Sequence, residues 1–94
     1  EDTRIAVQNG AAQAGIAKAT ADYLTSNGFN VVSIGNADFF DYENTLIYDY
    51  TGSYYTTRWI AEHFAVEPAQ IIARSDPNNP IDVLVIIGRD FALP

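Results

Sequence analysis

Cysteine and methionine are both absent from this chain of 94 residues, and cations are scarce, with five Lys and Arg against twelve Asp and Glu. Each shortage excludes something. Without cysteine there can be no disulfide, no thiolate zinc ligand and no cysteine nucleophile. That composition fits a cytosolic domain, and fits equally a bacterial extracytoplasmic domain that avoids thiols. A net charge of −7 speaks against nucleic acid as a partner, because every backbone phosphate contact takes a Lys or Arg. The cations present, Arg4, Lys18, Arg58, Arg74 and Arg89, are scattered along the chain. The same repulsion disfavours anionic lipid surfaces. No apolar run approaches the ~18 residues of a membrane span, so this segment does not insert directly into a membrane. No signal peptide is visible. The opening Glu1-Asp2-Thr3, in a chain without methionine, reads as a piece excised from a longer protein, whose anchor or catalytic module would lie elsewhere.

What is present is enough for one domain, residues 1–94, with a hydrophobic fraction of 48% and dense aromatics. That excludes a disordered chain. Residues 4–9 carry Ile5 and Val7 and suit a strand. An Ala-rich helix is predicted from Ala11 to Asn27, with Ala14, Ala17, Ala21 and Leu24 on one stripe. Gly28 stands just past its end, where a left-handed conformation is cheap only for glycine. Phe29–Ile34 reads as a second strand, parallel to the first across a right-handed crossover. After a polar and aromatic loop over Ala37–Asn44, Thr45–Tyr50 is a third strand. Ser53 is the expected N-cap of a helix from Tyr54 to Phe64, stopped by Glu67-Pro68. Gln70–Arg74 is a weaker strand. Asp82–Ile87 is apolar at consecutive positions, which predicts a central strand covered on both faces. The order β-α-β-β-α-β-β implies an α/β two-layer sandwich, two helices on a mixed sheet of four or five strands.

The turn after the first strand invites comparison with phosphate-binding loops, since the first N–H groups of a helix lack partners within it. Gly10 and Gly15 match the spacing of G-x-x-x-x-G-K-[ST], but Ile16 and Ala17 stand where Lys and Ser/Thr are needed. They also match the first and third glycines of G-x-G-x-x-G, with Ala12 in place of the second and Asp38 near the ribose position. The residues present argue for a tight strand-to-helix turn. The alternative is a small nucleotide-binding or enzymatic module using the Gly10–Gly15 turn with Asp38. His63 has no nucleophile or orienting partner at recognisable spacing and reads as a partly buried packing residue beside Phe64. Asp38, Asp41 and Glu43 lack the pattern of a calcium loop and read as a solvated acidic loop. No catalytic residue, metal ligand or cofactor site is expected.

The remaining candidate is a band of tyrosines, Tyr42, Tyr48, Tyr50, Tyr54 and Tyr55, with Phe39 and Phe40 upstream. Exposed, it would stack on sugars or a protein partner, because tyrosine offers flat apolar area with a polar tip; buried, it would cover the sheet. The residues expected to make contact are Asn9, Gly10 and Gly15 at the first turn, with Tyr48, Tyr50, Tyr54 and Tyr55. A third reading is purely structural, dimerisation through an open sheet edge.

These landmarks resemble the LytR C-terminal domain family, found beside or downstream of the LytR–CpsA–Psr phosphotransferase domain of bacterial envelope proteins, and also alone. The likeness rests on Val7-Gln-Asn-Gly10 with Gly15-Ile-Ala17, Gly28-Phe-Asn-Val31 with Gly35-Asn-Ala37, Thr45-Leu-Ile-Tyr48, and Ile87-Gly-Arg-Asp-Phe91. It runs from Arg4 to Phe91, and the tyrosine-rich middle departs from it. The resemblance implies an extracytoplasmic, non-catalytic accessory domain that helps attach or organise cell-wall glycopolymers. Its partner would be a cell-wall glycan or an envelope protein, and its anchor a membrane segment outside this chain. The catalytic arginines and aspartates of such proteins belong to the phosphotransferase domain and have no counterpart here. The transcriptional-attenuator label of the family finds no support in an acidic chain without a DNA-reading helix.

Overall fold

The computed structural model describes residues 3–93. Five strands and two helices follow in the order β1 (Arg4–Asn9), α1 (Ile16–Ser26), β2 (Asn30–Asn36), β3 (Leu46–Asp49), α2 (Tyr54–His63), β4 (Ile71–Ala73) and β5 (Val83–Ile87). They form one mixed sheet, ordered β2-β1-β5-β3-β4. β1 pairs parallel with β2 and with β5, β3 runs antiparallel to β5, and β4 runs parallel to β3. The expected two-layer architecture and element order are observed, with five strands and β5 at the centre.

Both helices pack on one face. Ile5, Val7, Ile47, Val83, Val85 and Ile87 point from the sheet into a core completed by Leu24, Ile60 and Phe64. Tyr23 bridges the helices, with ring centres 6.2 Å from Trp59 and 5.6 Å from Phe64. A fully buried side chain of the size of Ile47 or Leu24 contributes about 1.5–3 kcal/mol. The other face of β5 has no helix. Ile86 is buried there and Leu84 half-buried, so the second cover comes from loops.

α1 starts at Ile16, later than the Ala-rich composition suggests. Ala12 and Gly15 have positive φ (52° and 78°), and the Asn9 side chain accepts from Ala11 N–H and donates to the Gln13 carbonyl (3.0 and 2.9 Å). Ala11–Gly15 is therefore a folded turn, and Ala14 is exposed outside the helix. Its buried stripe is Ile16, Ala17, Thr20, Ala21 and Leu24. At the other end Gly28 has φ 89°, with Gly28 N–H bonded to the Thr25 carbonyl and Phe29 N–H to the Leu24 carbonyl. This pair of bonds is the Schellman arrangement that glycine permits.

Candidate functional site

In open α/β sheets ligands usually settle outside the carboxyl ends of parallel strands, here the ends of β1, β2 and β5. That end is closed. The connection from β2 to β3 crosses it, held by Ala37 N–H to the Asn9 carbonyl (3.0 Å), Tyr42 N–H to the Gly10 carbonyl (3.2 Å) and Arg89 N–H to the Tyr42 carbonyl (2.9 Å). Gly10 N–H is spent on the Ile87 carbonyl (2.8 Å). A Cβ on Gly10 would meet Tyr42 Cδ1 at 2.7 Å and Ile86 Cγ2 at 3.0 Å, so Tyr42 and Ile86 converge over the turn. Gly88 lies equally close to the crossing chain, against Asn44 and, at 2.7 Å, the Thr45 nitrogen. Buried Thr45 ties the two together: its hydroxyl accepts from Gly88 N–H (3.0 Å) and donates to Asp90 Oδ1 (2.8 Å). Asn9 and Gly10 are buried in this arrangement, while Gly15 is exposed.

Of the tyrosine band, Tyr42 lies over the Asn9–Gly10 turn, whereas Tyr48, Tyr50, Tyr54 and Tyr55 lie towards the opposite end. Asn9 stands opposite Ile87 on β5, whereas Asp49 stands opposite Val83, so the Asn9–Gly10 turn and the end of β3 lie at the two extremes of the central strand. The structure does not bring the two halves of the expected contact face together. Tyr48 and Tyr50 lie half-buried on the helix-free face, stacked at 6.2 Å with planes 8° apart, and the Arg74 guanidinium sits 5.2 Å from the Tyr48 ring centre. Burial pushes the Tyr50 phenol up, with Tyr48 and Asp76 adding to the shift and Arg74 opposing it. Tyr54 and Tyr55 are 73% and 69% exposed.

The start of α2 is held rigidly for a surface segment. Ser53 occupies the N-cap position, but its side chain makes no capping bond. Asp49 instead fixes the turn that leads into the helix: its Oδ1 accepts from the backbone N–H groups of Thr51, Gly52 and Ser53 at 3.3, 3.0 and 3.0 Å. A buried carboxylate there also complements the positive end of the helix dipole. Next to it Asp82 accepts from the Arg4 guanidinium (3.0 Å), the Arg4 backbone N–H (2.7 Å) and the Thr51 hydroxyl (3.0 Å). Hydrogen bonding from the Arg4 side chain is the largest influence and, against the effect of burial, lowers the Asp82 carboxyl to about 2.

From this fixed start α2 carries Tyr55, Trp59 and His63 at i, i+4 and i+8, one stripe along its outer flank. A cleft of about 410 Å³ is lined by Tyr54, Tyr55, Arg58, Trp59 and Glu62. A smaller one of about 170 Å³ lies on the other side of the same two rings, against Asn27, Gly28 and Phe29. The Trp59 indole is braced by Phe29 (4.7 Å) and stacks with the His63 ring at 3.7 Å, 14° from parallel. His63 Nδ1 lies 2.9 Å from the Trp59 carbonyl, so this histidine packs on the tryptophan but is exposed, not partly buried as expected. Neither Arg58 nor Glu62 forms an ion pair with another described residue; the described pairs are Arg4–Asp82 and Lys18–Asp22. Asp38, Asp41 and Glu43 are exposed, and among the described residues no group of three or more His, Cys, Asp or Glu is gathered as for a metal ion. No described helix is long and apolar enough to cross a membrane. Of the lining residues that sequence reasoning does not reach, Trp59 carries a signal in the four-residue spacing from Tyr55 to Trp59 to His63, whereas Arg58 and Glu62 lie off that row.

The family model described as LytR cell envelope-related transcriptional attenuator matches residues 2–91, essentially the whole chain. No curated protein and no solved structure matches it.

Proposed function

The chain belongs to the LytR C-terminal domain family of cell-envelope proteins, and we propose that it is a non-catalytic, extracytoplasmic binding domain that engages cell-wall glycan. It would thereby take part in glycopolymer attachment or envelope organisation, tethered through a membrane segment outside this chain. The observation that carries this reading is the α2 flank, where Tyr54 and Tyr55 project at 73% and 69% exposure beside braced Trp59 and the charged Arg58 and Glu62, which form no ion pair with another described residue. Aromatic faces stack on the apolar faces of pyranose rings. A guanidinium donates to ring and hydroxyl oxygens, and a carboxylate accepts from neighbouring hydroxyls. At about 410 Å³ the cleft falls within the range of about 300–1,000 Å³ usual for small-ligand sites.

The charge of −7 selects among envelope glycans. It repels polyphosphate backbones, so the contact is with sugar units rather than with phosphate. An open cleft of this kind binds weakly, with a dissociation constant on the order of 0.1–1 mM. The test is titration with peptidoglycan fragments and wall-teichoic-acid fragments, following Trp59, the single tryptophan, by fluorescence. Saturable quenching by sugar fragments that is lost in Tyr55→Ala supports the assignment. Unchanged fluorescence with every fragment at millimolar concentration overturns the glycan reading.

A further inference from the structure

The sheet ends at β4 with its main chain only half used. Arg74 N–H bonds to the Asp49 carbonyl (2.9 Å), and Ile72 stands opposite Tyr48 in the parallel register. In a parallel ladder this turns the N–H and C=O of Ile72 towards β3 and those of Ile71 and Ala73 outward. The Ile71 N–H is taken by the Pro68 carbonyl of the 3-10 turn Pro68–Gln70. That leaves the Ile71 carbonyl and both main-chain groups of Ala73 along the edge, and no described strand lies beyond it.

Natural sheets blunt such edges with charge, proline or a bulge. The opposite edge, β2, has a bulge where it faces Ile5 and Ala6. Ile71–Ala73 carries no charge, proline or bulge and is limited only by its length of three residues, and its register against β3 is regular. Beside it runs a groove of about 410 Å³, lined by Arg58, Ala61 and Glu62 of α2, by Val66 and Pro68, and by Ile71. Ile71 faces the helix layer, since it stands opposite core residue Ile47. A strand added outside β4 would send alternate side chains to that same face, into the groove.

We propose that the free edge of β4 and the groove beside α2 form a docking slot for an extended peptide segment of a partner protein, added as a sixth strand. One residue of an antiparallel segment satisfies both main-chain groups of Ala73. The residue two positions along stands opposite Ile71, and its apolar side chain seats on the same face against Ala61, Val66 and Ile71. A sugar does not match this pattern of backbone groups at strand spacing. A second copy of the chain is disfavoured, because two domains of −7 repel each other. The same charge, with Glu62 and Glu67 beside the groove, favours a segment whose apolar residue is flanked by Lys or Arg. The slot lies on the opposite side of Arg58 and Glu62 from the aromatic cleft and does not depend on the glycan reading.

The test is selection from a displayed random dodecapeptide library against the immobilised 94-residue chain, followed by amide chemical-shift mapping with the enriched peptides. Enriched sequences should alternate apolar and polar residues with an excess of Lys and Arg, and shift amides at Ile71–Ala73, Ala61 and Val66. Ala73→Pro removes an outward N–H that no other strand uses. It should weaken the enriched peptides about tenfold, the equivalent of one hydrogen bond, whereas Ala73→Ser, which keeps the N–H, should not. If Ala73→Pro loses its dispersed amide spectrum, Glu62→Trp, at an exposed helix position, blocks the groove instead. Library enrichment of nothing, shifts mapping elsewhere, undiminished binding by the blocked variant, or concentration-dependent edge shifts without peptide would each overturn the proposal. None of these outcomes bears on sugar quenching of Trp59.

Discussion

Replacing Asp49 by alanine tests how the start of α2, and with it the aromatic flank, is held in place. In the native fold one carboxylate oxygen takes three backbone N–H groups, at 3.3, 3.0 and 3.0 Å, while Asp49 itself is 5% exposed. Truncation strips all three donors of their acceptor. Thr51 and Gly52 are exposed and recover water; Ser53 is half-buried and recovers less. Hydrogen bonds to a charged group are worth about 1.5–3 kcal/mol, so with partial rehydration of the freed donors the cost is about 2–3 kcal/mol. In a domain of this size that corresponds to a fall in thermal midpoint of roughly 10–20 °C. Asp49→Asn keeps an acceptor of the same shape but loses the charge, and should cost about 1 kcal/mol. Calorimetry measures both, and amide exchange should accelerate over residues 51–57 before it does in β5. A midpoint change of less than about 3 °C for Asp49→Ala would refute the anchoring role of this carboxylate, as would equal losses in the two variants.

Gly88→Ala drives a methyl into the main chain at Asn44 and Thr45, and urea denaturation should register a loss of about 3 kcal/mol or more. Gly35→Ala, where nothing lies within 4 Å, is the control and should stay within about 0.5 kcal/mol. The Asp82 carboxyl lies below its ordinary value of 3.8, at about 2, so folding favours its ionised form. Its contribution to stability is complete above pH 3.8 and disappears as the pH falls towards about 2. Thermal midpoints measured across that window should fall less steeply in Asp82→Asn than in the native chain, and identical slopes would remove Asp82 from the account of acid stability.

The fold was legible because its signals are local. Apolar runs marked β1 and β5, and Gly28 ended α1 where only glycine is comfortable at φ 89°. Consecutive Val, Leu and Ile placed β5 at the centre of the sheet. The late start of α1 was hidden because Ala11–Ala14 has helical composition, while Asn9 and Gly15 impose a turn through a side-chain bridge and a left-handed residue. Ser53 is the N-cap residue as expected, but its side chain makes no capping bond, and the turn ahead of it is held by Asp49, four residues earlier, a role that composition does not reveal. Tyrosine exposure depended on strand register and helix phase, neither of which composition reveals. Tyr48 and Tyr50 lie against the helix-free face, whereas Tyr54 and Tyr55 turn outward.

The placement of the aromatic flank follows from topology. β2 ends at one edge of the sheet and β3 begins on the far side of β5, so the chain joining them must cross the ends of β1 and β5. Those are the carboxyl ends at which parallel sheets ordinarily receive ligands. The crossing needs the smallest residues where it passes closest, and finds Gly10 under Tyr42 and Gly88 under Asn44. The crossing takes the Gly10 carbonyl through Tyr42 N–H, and the Gly10 N–H, the donor a phosphate would use, is already spent on the Ile87 carbonyl of β5. With that end closed, the surfaces left for recognition are the flanks of the layers. The flank of α2 alone combines exposed tyrosines, a braced indole and charged side chains without described ion-pair partners. The glycines that resemble a nucleotide loop are therefore conditions for the crossing, and the crossing covers the sheet end at which a nucleotide would settle.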